Sequence, residues 1–155
     1  WMLRDSGLFY PDLLEEIRRQ SEGENPYTHY AKLLFSEDLG SIQTAIKYMV
    51  HYEYQLGRLD AGFKEVPIDN AAITSARIGL YYAANRYFLA DNEILKNIEK
   101  IENIPTLIVH TRLDMCCPLK GAWDLYRSLN NAEIEIIADL GHVGKKLRTA
   151  FRKHF

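Results

Sequence analysis

Near the end of the chain, an apolar run and a second strand-like run bracket one amphipathic segment, and that arrangement restricts the fold more than any other feature. Thr106–His110 is a short continuous apolar stretch behind Pro105, the pattern of a strand buried on both faces of a parallel sheet. Ala132–Ala138 is a second strand-like run. Between them, Pro118–Leu129 has helical periodicity, with Ala122, Leu125, Tyr126 and Leu129 on one side. A Gly141-His142 turn and a basic helix, Lys145–His154, close the pattern. Strand, helix, strand, helix predicts a βαβ unit whose two strands are parallel neighbours, followed by a final helix. Two strands alone do not make a stable, doubly covered parallel sheet. The pattern therefore predicts a portion of a larger sheet, completed by something outside these 155 residues. The free edge of Thr106–His110 would template pairing with another chain, so either a homo-oligomer or an absent N-terminal portion is expected to cover it.

The residues before this unit read as helices. Pro11 to about Arg19 fits a short helix opening at a proline, and Ser21–Pro26 is polar and turn-like. Ser41–Leu56 is strongly amphipathic, with Ile42, Ala45, Ile46, Met49 and Leu56 on one face and Ser41 as N-cap. A turn covers Gly57–Asp69. Asn70 caps a long helix from Ala71 to about Ala90, and Asp91 caps another through Ile101. The expected division is a helical portion over 1–103 and a strand-bearing portion over 104–155.

Composition removes several function classes. With 47% apolar and 26% charged residues the chain is globular rather than disordered. A net charge of −2 with no basic stripe argues against nucleic-acid binding. No apolar run reaches the roughly 18 residues of a membrane span, and no signal peptide opens the chain. The two cysteines, Cys116 and Cys117, are adjacent and have no other partner. Neighbouring cysteines close a strained disulfide, so a reducing, cytoplasmic setting is the natural reading. Trp1 in place of an initiating Met points to the back part of a longer chain.

Sites in open α/β sheets form beyond the carboxyl ends of the strands. Asp114 lies four residues past the first expected strand and His142 four past the second, 28 residues apart. On neighbouring parallel strands, a carboxylate and an imidazole so placed suit the acid and base of a catalytic triad in the order serine, acid, histidine. The plain alternatives are a turn or capping aspartate and a chance Gly-His pair.

At these residues the sequence resembles a known family. Ile108-Val109-His110-Thr111-Arg112-Leu113-Asp114-Met115-Cys116-Cys117-Pro118 is similar to the I-V-H-G-R-Y-D-x-x-C-P stretch of proline iminopeptidases. Ala122-Trp123-Asp124-Leu125 and Gly141-His142 continue the likeness. Ala76-Arg77-Ile78 with Tyr82 resembles the family's A-R-I-E-x-x-Y segment, and Trp1 with Phe9-Tyr10-Pro11 the start of its helical cap. The family comprises α/β-hydrolase serine peptidases that release N-terminal proline from peptides by acyl-enzyme chemistry, without a metal or other cofactor. The resemblance implies the C-terminal part of that fold, a helical cap followed by a β-α-β-α unit, predominantly helical as it stands. It implies Asp114 as triad acid and His142 as base, with the nucleophile and oxyanion hole before Trp1. No Gly-x-Ser-x-Gly elbow occurs in the chain, and Ser6-Gly7 lacks the preceding glycine.

The same resemblance implies substrate-binding roles for Glu53, Tyr82 and Cys117. Tyr52-Glu53 fits the family's glutamate after an aromatic, which grips the substrate's free amine. A structural salt bridge from Glu53 to Arg77 or Arg86, or an exposed position, explains it as well. Cys117 stands where the family has a cysteine near the site, although a small buried apolar residue needs no function. Tyr48, Tyr52, Tyr81, Tyr82 and Tyr87 read first as core, with a few left to line a pocket for a proline ring. His29, His51, His110 and His154 lack metal-ligand spacing and read as packing or surface residues. Three positions depart from the family: Gly79 replaces a cap glutamate, Thr111 a glycine and Val143 a serine. Gly79 favours a different hydrolase of the same fold, an esterase or amidase. The absent serine favours a catalytically inactive binding or assembly module.

Overall fold

A computed structural model describes residues 2–3, 5–58, 68–142 and 144–154. Trp1, Val143 and most of the Gly57–Asp69 turn lie outside the described residues. The chain forms two compact units, one running to Gln55 and resuming over the helix before Phe88, the other taking Leu56 onward and Leu89 to the last helix.

In the first unit, α1 (Pro11–Gln20) begins at its proline, where a missing amide costs no intrahelical hydrogen bond. Its Leu14 and Ile17 are buried. The reading of the sequence contains no counterpart to α2 (Pro26–Leu34). Its signal is local: Asn25 Oδ1 accepts from the amides of Tyr27 (3.0 Å) and Thr28 (3.4 Å), with Pro26 in the first turn. Next, α3 (Leu39–Ala45), a π-helical segment Ile46–Val50 and α4 (His51–Gly57) are contiguous. The amphipathic stretch is thus one helix with a widened middle turn. Asp38 rather than Ser41 caps it, accepting from the Ser41 amide at 2.7 Å. Ile42, Ala45, Ile46, Met49 and Leu56 are all 7% exposed or less, so the expected apolar face is the buried one.

Asp69, not Asn70, caps α5 (Asn70–Ala84), accepting from Ala72 at 2.8 Å. The helix stops at Ala84 instead of about Ala90. Arg86, Tyr87 and Phe88 have φ of 54°, 55° and 56°, and a right-handed helix cannot pass through three left-handed residues. α5 packs on α2. Arg77 of α5 donates Nε to the Leu34 carbonyl at 3.0 Å and lays its guanidinium over the Phe35 ring at 5.7 Å. Of the tyrosines read as core, Tyr52 is 1% exposed, whereas Tyr81, Tyr82 and Tyr87 are about half-exposed.

In the second unit, the single helix expected from Asp91 to Ile101 is instead α6 (Glu93–Lys96) and a 3₁₀ turn, Ile98–Lys100. Asn92, at φ 59°, marks its break from the preceding chain. Then come β1 (Thr106–Leu113), α7 (Leu119–Ser128), β2 (Ala132–Leu140) and α8 (Lys145–His154). β1 and β2 pair in parallel from Thr106↔Ala132 to Leu113↔Leu140, as the βαβ pattern requires. Both strands outrun their expected ends, because pairing continues through Thr111↔Ile137 to Leu113↔Leu140. The register slips between Thr111 and Leu113, inserting one extra β2 residue as a bulge. α7 and α8 both pack on the strands, yet Leu107 remains 37% exposed. No helix among the described residues is long and apolar enough to cross a membrane.

Candidate active site

Because β1 runs to Leu113 and β2 to Leu140, Asp114 is the first residue after its strand and His142 the second after its own. Both lie closer to the sheet than the shorter expected strands implied. The pairing Leu113↔Leu140 brings the two strand ends level. The turn between β2 and His142 is then held by its backbone. The Gly141 amide donates to the Leu113 carbonyl at 3.0 Å, and the His142 amide donates to the Gly57 carbonyl at 2.7 Å. Buried Thr111 donates its hydroxyl to the Gly141 carbonyl at 2.6 Å. Gly141 has φ +76°, and a Cβ there would lie 2.5 Å from the Gly57 carbonyl oxygen. Only glycine fits a turn both left-handed and this close to another backbone.

Asp114 is 4% exposed, so its carboxylate needs partners. Oδ1 accepts from the amides of Cys116 (2.9 Å) and Cys117 (2.7 Å), a turn that leads the chain toward α7. Oδ2 accepts from His142 Nδ1 at 2.7 Å. A carboxylate oxygen can only accept, so Nδ1 carries the proton and Nε2 keeps its lone pair. His110 Nε2 stands 3.9 Å from the same oxygen, while its Nδ1 donates to the Thr111 carbonyl at 2.8 Å. Partial burial pulls the His142 pKa down, but the hydrogen bond and charge of Asp114, joined by Cys117, outweigh it and leave it raised. The arrangement can hold an imidazole in one tautomer, steady its protonated form and present Nε2 as a proton acceptor.

Cys117 is exposed and Cys116 half-buried, which corrects the reading of Cys117 as a small buried apolar residue. Its thiol is lowered to about 6, first by a hydrogen bond from Cys116, against burial, then by the nearby His142. The structure therefore brings together Asp114, His142 and Cys117. Glu53 and Tyr82 belong to the other compact unit. Tyr82 is 47% exposed, its ring edge-on to Tyr81 and Phe88 at 6.3 and 5.5 Å. Gly79, in α5, has open space where a Cβ would stand. Ser6 is fully buried against the Tyr52 hydroxyl at 2.7 Å, a structural position.

Glu53 follows the π-helical turn, and burial alone pushes its pKa up to about 7. The folded chain thus keeps a proton on Glu53 that the unfolded chain has already lost above about pH 4.5. Stability should fall as pH rises from there to about 7. Glu53→Gln is expected to raise the free energy of unfolding more at pH 8 than at pH 5, by about 3 kcal/mol at most. Chemical denaturation at both pH values checks it, and an equal effect at both would mean that Glu53 is not titrating in the fold.

Reading the sequence missed three contributors. Gly57 supplies the carbonyl that anchors His142, Thr111 clamps Gly141, and Cys116 both donates to Asp114 and touches Cys117. None had a local signal, since each acts through a residue distant in the chain or, for Cys116, through a side-chain direction.

No protein-family model matches the chain. It is 34% identical over 141 residues to proline iminopeptidase of Arabidopsis thaliana, covering 86% of this chain and 37% of that protein. It is 31% identical over 150 residues to the probable proline iminopeptidase of Leptolyngbya boryana, covering 92% of this chain and 47% of that protein. Proline iminopeptidase of Neisseria gonorrhoeae is 36% identical over 117 residues, 73% of this chain and 36% of that protein. The chain thus spans less than half the length of these curated relatives. Over the stretch it spans, the chain belongs to the proline iminopeptidase family.

Proposed function

We propose that these residues are part of a serine aminopeptidase that releases N-terminal proline from peptides, with Asp114 as triad acid and His142 as base. The observation that carries this reading is the 2.7 Å contact from His142 Nδ1 to an Asp114 oxygen whose twin oxygen is already tied to two amides. A serine from outside residues 1–155 attacks the prolyl carbonyl while His142 Nε2 takes its proton. The resulting imidazolium is steadied by Asp114 and gives the proton to the leaving amine. The architecture is that of an α/β-hydrolase, with the helical cap over 1–103 and the last two strands over 104–155. By resemblance to the family, Glu53, as a carboxylate, recognises the substrate's free amine. By resemblance to the family, Tyr82 and Cys117 are each assigned to substrate binding. The half-exposed strands supply the surface that the remaining sheet, or a second copy of the chain, covers. The adjacent cysteines, neither in a disulfide, favour a reducing, cytoplasmic setting.

Gly79 supports a second reading, an esterase or amidase of the same fold with weaker amine recognition, because no carboxylate can stand at that position. One assay separates the two. The full-length protein is expected to hydrolyse proline naphthylamide and to reject its acetylated form, while the 155-residue chain alone turns over neither, having no Gly-x-Ser-x-Gly elbow. Equal rates on free and acetylated substrates would favour the second reading. Turnover by the isolated chain, abolished in His142→Ala, would overturn the need for an outside nucleophile.

A further inference from the structure

The turn that presents His142 also gathers two sulfurs. The thiol sulfurs of Cys116 and Cys117 and a ring nitrogen of His142 all lie within 4.8 Å of one another, on half-buried to exposed side chains that an ion can reach. Asp114 organises all three: Oδ1 accepts from both cysteine amides, at 2.9 and 2.7 Å, and Oδ2 holds the imidazole at 2.7 Å. Nδ1 is thereby engaged, which leaves Nε2 as the donor. A carboxylate orienting the far nitrogen of a histidine ligand is the usual outer support of a protein zinc site.

We propose that Cys116, Cys117 and His142 Nε2 form a three-ligand site for a zinc-class divalent cation, with the fourth tetrahedral position open. Two sulfurs and one imidazole are a soft to borderline donor set, suited to Zn²⁺ or Cd²⁺ and unsuited to Mg²⁺ or Ca²⁺. Zinc–sulfur bonds of about 2.3 Å at tetrahedral angles hold two sulfurs about 3.8 Å apart, so the two sulfurs, within 4.8 Å of each other, need to draw in by about 1 Å or less. The consequence for activity rests on the triad reading. A cation on Nε2 takes the lone pair that would accept the serine proton, so the metal-bound and proton-accepting states exclude each other.

Binding is read on the 155-residue chain itself, without reference to activity. Titration with Cd²⁺ is expected to give one ion per chain with the ultraviolet absorption of two cadmium–thiolate bonds, and Zn²⁺ should displace it. Cys116→Ser, Cys117→Ser and His142→Ala, each shown folded by circular dichroism, should each weaken Zn²⁺ binding at least tenfold. A stoichiometry of one ion per two chains, absorption for a single thiolate, or unchanged affinity in any of the three variants would overturn the site. The thiolate count needs no variant, so it decides even if a substitution unfolds the chain. In the full-length protein, Zn²⁺ should inhibit reversibly at the concentration at which it binds. Binding without inhibition would leave the metal site standing and count against His142 as the base, whereas no binding would sink the site and leave the triad reading untouched.

Discussion

If Asp114 and His142 act as the proposed triad acid and base, Asp114→Asn in the full-length protein is expected to lower kcat by about 10⁴-fold with little change in KM. The substitution keeps the shape of the site. Asn Oδ1 can still accept from the Cys116 and Cys117 amides, so the turn into α7 survives. What changes is the atom facing His142 at 2.7 Å, which becomes an amide nitrogen that donates instead of accepting. His142 Nδ1 must then become the acceptor, and its proton moves to Nε2, the atom that in the proposed triad receives one from the nucleophile. The imidazolium also loses the carboxylate that stabilises it, and the raised pKa of His142 should fall. Because the base works only when neutral, activity should decline on the acid side through the His142 pKa. In Asp114→Asn the residual activity should show that limb at lower pH. Steady-state kinetics across pH and nitrogen NMR of the imidazole tautomer check both claims. A kcat within tenfold of the unsubstituted protein would remove Asp114 from the triad.

Gly141→Ala is expected to destabilise the fold by about 2–4 kcal/mol and to displace His142. Two costs combine. The left-handed backbone, at φ +76°, disfavours any residue with a Cβ by about 1–2 kcal/mol. The added carbon would also sit 2.5 Å from the Gly57 carbonyl oxygen and 3.4 Å from the Arg58 Cα, backbone atoms that cannot swing aside as a side chain could. Relief requires the turn to lift away, and the hydrogen bond from the His142 amide to that same Gly57 oxygen is then lost or stretched. Gly79→Ala is the internal control, since nothing lies within 4 Å of its Cβ and α5 should gain up to about 1 kcal/mol. Denaturant melts of both variants test the pair. A Gly141→Ala chain as stable as the original, with Asp114 and His142 still coupled by NMR, would show that the turn tolerates a side chain.

Some of this was written in local chemistry and some was not. The βαβ order, the parallel pairing, α1, α8 and the buried face over Ile42–Leu56 follow from periodicity and from the proline and glycine signals at element ends, which act over a few residues. The meeting of Asp114 with His142 was legible for a related reason: two strands joined by one helix must run parallel, so their carboxyl ends meet. Tertiary structure decided the rest. Strand ends are set by the partner's pairing, which extends β1 past its apolar run to Leu113 and introduces the bulge in β2 before Leu140. Caps depend on which carboxylate reaches the first free amides, so Asp38 and Asp69 serve where the neighbouring Ser41 and Asn70 were expected. The end of α5 depends on the left-handed run Arg86–Phe88, which no propensity demands. Whether an aromatic ring is core or surface depends on what packs over it: Tyr52 is enclosed while Tyr81, Tyr82 and Tyr87 are not. The support of His142 by Gly57 and Thr111, and the convergence of Cys116 and Cys117 upon it, join residues brought close only by the folded backbone, and no spacing along the chain encodes such a distance.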